Sequence, residues 1–187
     1  MDLFVKAKSV RLRSYKDKYL IAEEDRENIN QTRDGSSKNA IWIVELVDQK
    51  ECIRLRSCFG TYLTASNIPF IPGVSGKKVI QTLAIQFDRE TQWEPLRDGM
   101  QVRLRSSWGN FLRPNRSLPP WRNSVTHDVP HLSQTRVKLL WDVEVVEKRH
   151  VHRRTQSDTT FIRSRSRSTS TSMSSQNQNS TKLEHFF

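Results

Sequence analysis

Ser124, His127 and Asp128 bring a hydroxyl, an imidazole and a carboxylate close together in a chain of 187 residues. These groups are the parts of a nucleophilic relay. Their spacing argues against the reaction. Adjacent His127 and Asp128 cannot set the ring between hydroxyl and carboxylate, and neither a nucleophile elbow nor an oxyanion loop accompanies them. No Cys/His set stands at metal-ligand spacing, so the expectation is no enzyme, no catalytic residue, no metal and no cofactor. Recognition suits the stretch better. Trp121 offers an indole for stacking, Arg122 a guanidinium for an anion, Asn123 an amide, and His127 with Asp128 a pair for directed hydrogen bonds. The plainer alternative is a loop stiffened by Pro119 and Pro120, in which Trp121 tucks against the body of the domain and Asp128 satisfies nearby amides.

Six arginines form the second candidate set: Arg11, Arg13, Arg54, Arg56, Arg103 and Arg105. A basic surface of this kind can engage an acidic protein, a phosphoinositide or a nucleic-acid backbone. Its counterweight is Glu45, Glu94 and Glu144, placed to form cross-strand ion pairs with it.

What positions these residues is a repeat. Val10-Arg-Leu-Arg-Ser-Tyr-Lys-Asp-Lys-Tyr-Leu20, Ile53-Arg-Leu-Arg-Ser-Cys-Phe-Gly-Thr-Tyr-Leu63 and Val102-Arg-Leu-Arg-Ser-Ser-Trp-Gly-Asn-Phe-Leu112 align without a gap. Their spacing lies in the range of roughly 20–50 residues that marks repeated supersecondary units. Each copy opens on a period-two strand, with Val10 and Leu12 inward against Arg11 and Arg13 outward. A four-residue turn follows, and its third position is Asp17, Gly60 or Gly109, types that tolerate positive φ. Each copy closes on a strand led by Trp42, Trp93 or Trp141. If the indoles point inward, so do Val44, Leu46, Val143 and Val145. One such unit cannot bury its own apolar face, so three must share a core.

The pattern Arg-Leu-Arg-Ser-x-x-Gly-x-Tyr-Leu with its later Trp strand resembles the fascin-type, actin-crosslinking-like β-trefoil. The segment Leu118-Pro-Pro-Trp-Arg-Asn-Ser-Val-Thr-His-Asp-Val-Pro130 is more similar still to a plant family of single-trefoil proteins, the domain of unknown function DUF569. The resemblance implies an all-β fold, a β-trefoil of three pseudo-symmetric four-strand repeats over 1–148, with repeats at about 1–47, 48–97 and 98–148. Ricin-like lectins, also trefoils, carry Gln two residues before the repeated Trp, whereas Ala40, Thr91 and Leu139 stand here.

The net charge of +11 is uneven: residues 1–147 hold 23 basic and 18 acidic side chains, and residues 148–187 hold 8 and 2. The Arg/Ser-rich 149–187 stretch lacks the apolar surface to offset chain entropy and is expected to be a disordered tail. Cys52 and Cys58 flank one strand and are expected to be reduced thiols. Neither a secretory leader nor a membrane span is evident, which points to the cytoplasm, or the nucleus, and a monomer. The function expected is a noncatalytic module binding a protein partner, actin being the one the resemblance names. The alternatives are RNA or another polyanion held through the tail, and a small molecule or carbohydrate at the 114–138 loop.

Overall fold

Each arginine-bearing arm becomes a strand with one buried and one solvent-facing row. In the computed structural model, which describes residues 2–47, 51–74, 76–83, 89–115, 118–129 and 133–149, β1 (Ala7–Ser14) buries Val10 and Leu12. The turn after it is closed by the Ser14 N–H donating to Lys18 O at 2.8 Å, and Asp17 takes φ 54°. β2 (Tyr19–Ala22) and β3 (Ile29–Thr32) pair as a hairpin, and β4 (Trp42–Leu46) completes the first repeat. The second repeat runs β5 (Ile53–Arg56), β6 (Tyr62–Pro69), β7 (Lys77–Thr82) and β8 (Trp93–Asp98). The third runs β9 (Gln101–Ser106), β10 (Phe111–Pro114), β11 (Val125–Asp128) and β12 (Trp141–Lys148). Gly60 and Gly109 take the place of Asp17, at φ 81° and 78°.

Two pairing systems make the trefoil. β1, β4, β5, β8, β9 and β12 pair in that order and close back on β1, which leaves none of the six with a free edge. The other six strands form three hairpins, which meet through β7 and β11 and through the bridges Asn28 to Ile80 and Asn30 to Ser124. The expected all-β trefoil of four-strand repeats is therefore present. The expected tail lies outside the described residues, apart from Arg149.

The core sits at the repeat axis. Trp42, Trp93 and Trp141 are fully buried, and each indole Nε1–H donates to the carbonyl of an equivalent leucine: Leu20 at 3.0 Å, Leu63 at 2.8 Å and Leu112 at 3.2 Å. Burying about 200 Å² of indole is worth at most about 5 kcal/mol per tryptophan. Before the first strand a single helical turn, α1 (Asp2–Val5), drops Phe4 into the same cluster.

Two expectations need correction. Val145 does not point into the core; it is 40 % exposed, because β12 pairs with β9 only at Trp141 and runs on alongside β1 alone. The segment read as a proline-stiffened loop contains β11. Its four residues are all buried and show no period-two alternation, which is why the pattern does not announce a strand. Cys52 and Cys58 are not joined in a disulfide, and Cys58 is exposed.

Candidate functional site

The six arginines are largely occupied by the fold. Arg56 Nε lies 2.8 Å from Glu45 Oε1, Arg105 Nη2 lies 2.5 Å from Glu94 Oε2, and Arg13 Nε lies 3.4 Å from Glu144 Oε1. The same carboxylates accept from Tyr62 and Tyr19, whose phenols are held above their usual range, first by burial and then by that hydrogen bond. Arg103 approaches Asp98 at 3.6 Å and lies over the Phe111 ring. Arg11 and Arg54 are half-buried, each with a buried Nε that lacks a hydrogen-bond partner. These pairs are about one-third exposed, and such pairs contribute about 0–1 kcal/mol. Glu45→Gln, which keeps an acceptor for Tyr62, is accordingly expected to lower unfolding free energy by less than about 1 kcal/mol. A urea titration giving a larger loss would show the pair to be a structural element instead.

The first candidate set, Trp121 to Asp128, divides. Trp121 stacks on Phe70 with ring centroids 4.7 Å apart, and its carbonyl accepts from Ser124 Oγ at 2.8 Å. That hydroxyl also accepts from Asn115 Nδ2 at 3.0 Å, so it is engaged inside the fold. His127 is fully buried on β11. Its Nδ1 lies 3.2 Å from Asn110 Nδ2 and its Nε2 2.7 Å from Ser66 O. The donor on one side and the acceptor on the other assign the neutral Nε2–H tautomer. Asp128 faces Arg113 at 3.3 Å and accepts from the Val129 N–H at 2.8 Å. His127 and Asp128 therefore stand in a strand and not in a loop wall.

His127 also has counterparts, which the repeat alignment does not reveal. Gln31 and Gln81 occupy its position, opposite Leu20 and Leu63 as His127 is opposite Leu112. Each reaches into a neighbouring repeat. Gln31 Nε2 donates to Asn115 O and Ser124 O, Gln81 Nε2 donates to Glu23 O and Asn28 O, and His127 meets Ser66 O. The three side chains clasp repeat one to three, two to one and three to two.

Arg122 and Asn123 do line an open space. With Lys18, Gln31, Thr32 and Arg33 they surround a depression of about 310 Å³ beside the Gln31 clasp. Lys18 Nζ donates to Asn123 Oδ1 at 2.6 Å, and Asn123 sits at φ 64°. Arg33 follows β3, Arg122 precedes β11, and both are exposed. No carboxylate lines the space, and among the described residues none of the three cations has an ion-pair partner. Lys18 and Arg33 escape sequence reading because Lys18 stands at a variable position of the repeat and Arg33 lies outside it. The signal that could have found them is the charge difference from Thr61 and Leu83 at the matching places. Among the described residues no group of three or more His, Cys, Asp or Glu could hold a metal, and no helix is long and apolar enough to cross a membrane.

A family model described as a β-trefoil domain of unknown function, DUF569, matches residues 1–141. The chain belongs to the DUF569 family. Solved structures similar to this DUF569 domain are trefoil-bearing proteins at low identity. The designed threefold-symmetric protein ThreeFoil is 18 % identical at TM-score 0.57, covering 73 % of this chain and 98 % of its own. The Haemophilus ducreyi cytolethal distending toxin is 17 % identical at 0.59, covering 77 % and 88 %. The Clostridium perfringens GlcNAcα1-4Gal-releasing endo-β-galactosidase is 18 % identical at 0.57, covering 74 % of this chain, which spans only 32 % of that enzyme. At such identities the likeness shows the fold alone. Among curated proteins no sequence matches the DUF569 chain significantly.

Proposed function

We propose that the chain is a noncatalytic recognition module that engages an acidic partner protein through the cation-lined depression between its third and first repeats. The supporting observation is the contrast in how polar groups are used. Ser124, His127 and Asp128 are spent on internal hydrogen bonds, whereas Lys18, Arg33 and Arg122 face the open space with no carboxylate among them. The fascin-like resemblance makes actin the first partner to test, in the cytoplasm or the nucleus. A monomeric trefoil with one such depression binds without crosslinking filaments, since bundling needs two sites.

The test is co-sedimentation of the full chain with filamentous actin. The expected result is pelleting at low salt, release as salt rises, and loss of pelleting for a variant carrying Arg33→Glu and Arg122→Glu. Absence of pelleting at low salt removes actin. Pelleting that ignores the double variant removes the depression as the contact. A second reading, a polyanion adaptor, is favoured by the 8 basic against 2 acidic side chains in residues 148–187. A salt-titrated RNA shift on the full chain beside one truncated after Arg149 tests it: equal shifts exclude the tail as the binding element.

A further inference from the structure

We propose that the Lys18, Arg33 and Arg122 depression takes a phosphate monoester, whether on a phosphorylated side chain of a partner or on a small polyol such as an inositol phosphate. The inference rests on the recognition reading above and names the group recognised. Its strongest support is a comparison the molecule makes with itself.

Pseudo-threefold symmetry puts the same junction in the protein three times, and hydrogen bonds fix the equivalences. The Gln31 N–H donates to Asn123 O as the Gln81 N–H donates to Glu27 O, so Asn123 matches Glu27 and Arg122 matches Arg26. Lys18 matches Thr61 and Asn110, whose carbonyls accept from Ser57 and Ser106 as Lys18 O accepts from Ser14. Thr32, Thr82 and Asp128 share a register opposite Tyr19, Tyr62 and Phe111, which makes Arg33 the counterpart of Leu83 and Val129. At the first-to-second junction the matching space, about 260 Å³, is lined by Asp25, Arg26, Glu27, Phe59, Thr61, Gln81, Thr82 and Leu83. There one arginine faces two carboxylates. At the second-to-third junction the matching residues are Gly76, Lys77, Asn110, Asp128 and Val129, again a cation with a carboxylate. The fold thus forms this junction without surplus positive charge, and among the described residues only the third-to-first copy is lined by three cations and no acid.

Nearby carboxylates are occupied elsewhere. Asp17 pairs with Arg13, and Asp34 accepts from the Ser36 N–H and hydroxyl, a turn that holds its carboxyl below the usual range. The Gln31 carboxamide is tied to Asn115 and Ser124, so the floor is rigid. With Asn123 Oδ1 accepting from Lys18, its NH2 remains as a further donor beside the three cations. A phosphate monoester carries about −1.5 to −2 charges at pH 7 and three strong acceptor oxygens, which match that set better than a single carboxylate does. A volume of about 310 Å³ lies at the small end of ligand pockets and holds one phosphate with the group that carries it.

The test is calorimetric titration of the full chain with five probes: a short neutral peptide with one phosphoserine, the same peptide with serine, the same with glutamate, an inositol monophosphate and inorganic phosphate. Binding of the phosphoserine peptide or the inositol monophosphate, with the serine peptide silent, is expected; which of the two binds tighter identifies the source. A variant carrying Lys18→Thr and Arg33→Leu takes residues the fold already holds at Thr61 and Leu83, and its unfolding midpoint confirms that it folds. It should bind roughly tenfold more weakly or worse, whereas Arg26→Gln at the neighbouring junction should leave affinity unchanged. Equal affinity in parent and double variant, or no binding of any phosphate probe, overturns the proposal. Equal affinity for the glutamate and phosphoserine peptides also overturns it, yet leaves an acidic partner standing. Phosphate binding without actin pelleting sustains it and removes that partner.

Discussion

Trp93→Ala is expected to lower the unfolding free energy by about 3–5 kcal/mol and the thermal midpoint by roughly 10 °C. Two losses combine. The indole is fully buried in the shared cluster, and its Nε1–H is the donor to Leu63 O at 2.8 Å. Alanine leaves a cavity whose walls are held by a closed barrel and so relax little, and it orphans a buried carbonyl. Trp93→Phe separates the terms, because it keeps most of the volume and removes only the donor, for roughly 1–3 kcal/mol. Trp42→Ala and Trp141→Ala should fall in the same class, since both indoles make the same bond. Denaturant titrations in which Trp93→Ala costs under about 1 kcal/mol would mean that the three indoles do not carry the core.

His127 should make stability fall with acid. Burial is the main force holding its ring below the ordinary value of 6.5, the charge of Lys77 pushes the same way, and the Ser66 carbonyl and Asp128 oppose them in part. A histidine with a folded pKa below its unfolded one leaves the unfolded state binding more protons between the two values. Stability from this group is then complete above about pH 6.5 and is lost as pH falls toward the folded pKa. The stereochemistry agrees, since a proton on Nδ1 would confront the Asn110 NH2 group at 3.2 Å. His127→Ala leaves Ser66 O and Asn110 without their partner and should cost roughly 2–5 kcal/mol. His127→Gln installs the residue already present at positions 31 and 81, so it should fold and show a flatter midpoint between pH 7 and 5. Equal pH slopes in parent and His127→Gln would show that the ring does not supply the dependence.

The trefoil was legible because its signals are local and threefold. Alternation in the Arg-Leu-Arg arms, a turn residue tolerating positive φ at Asp17, Gly60 and Gly109, and a tryptophan leading each closing strand all repeat in register, and each depends only on neighbours along the chain. Less was legible where burial replaces alternation. Val125–Asp128 is buried on both faces, so its pattern resembles no strand, and Val145 follows the inward period yet lies exposed because its sheet neighbour ends.

By itself, the sequence determined the all-β class, the three repeats and the inward tryptophans, since periodicity along the chain dictates which side chains a strand must bury. Only the tertiary structure decided what the polar residues do. Ser124, His127 and Asp128 carry the side-chain types of a reactive group, and each is consumed by partners 1 to 61 positions away, while Lys18, Arg33 and Arg122 share no motif and share a depression. The physical reason is that charge and hydrogen bonding act through space, between strands that the closing of the trefoil brings together from distant parts of the chain.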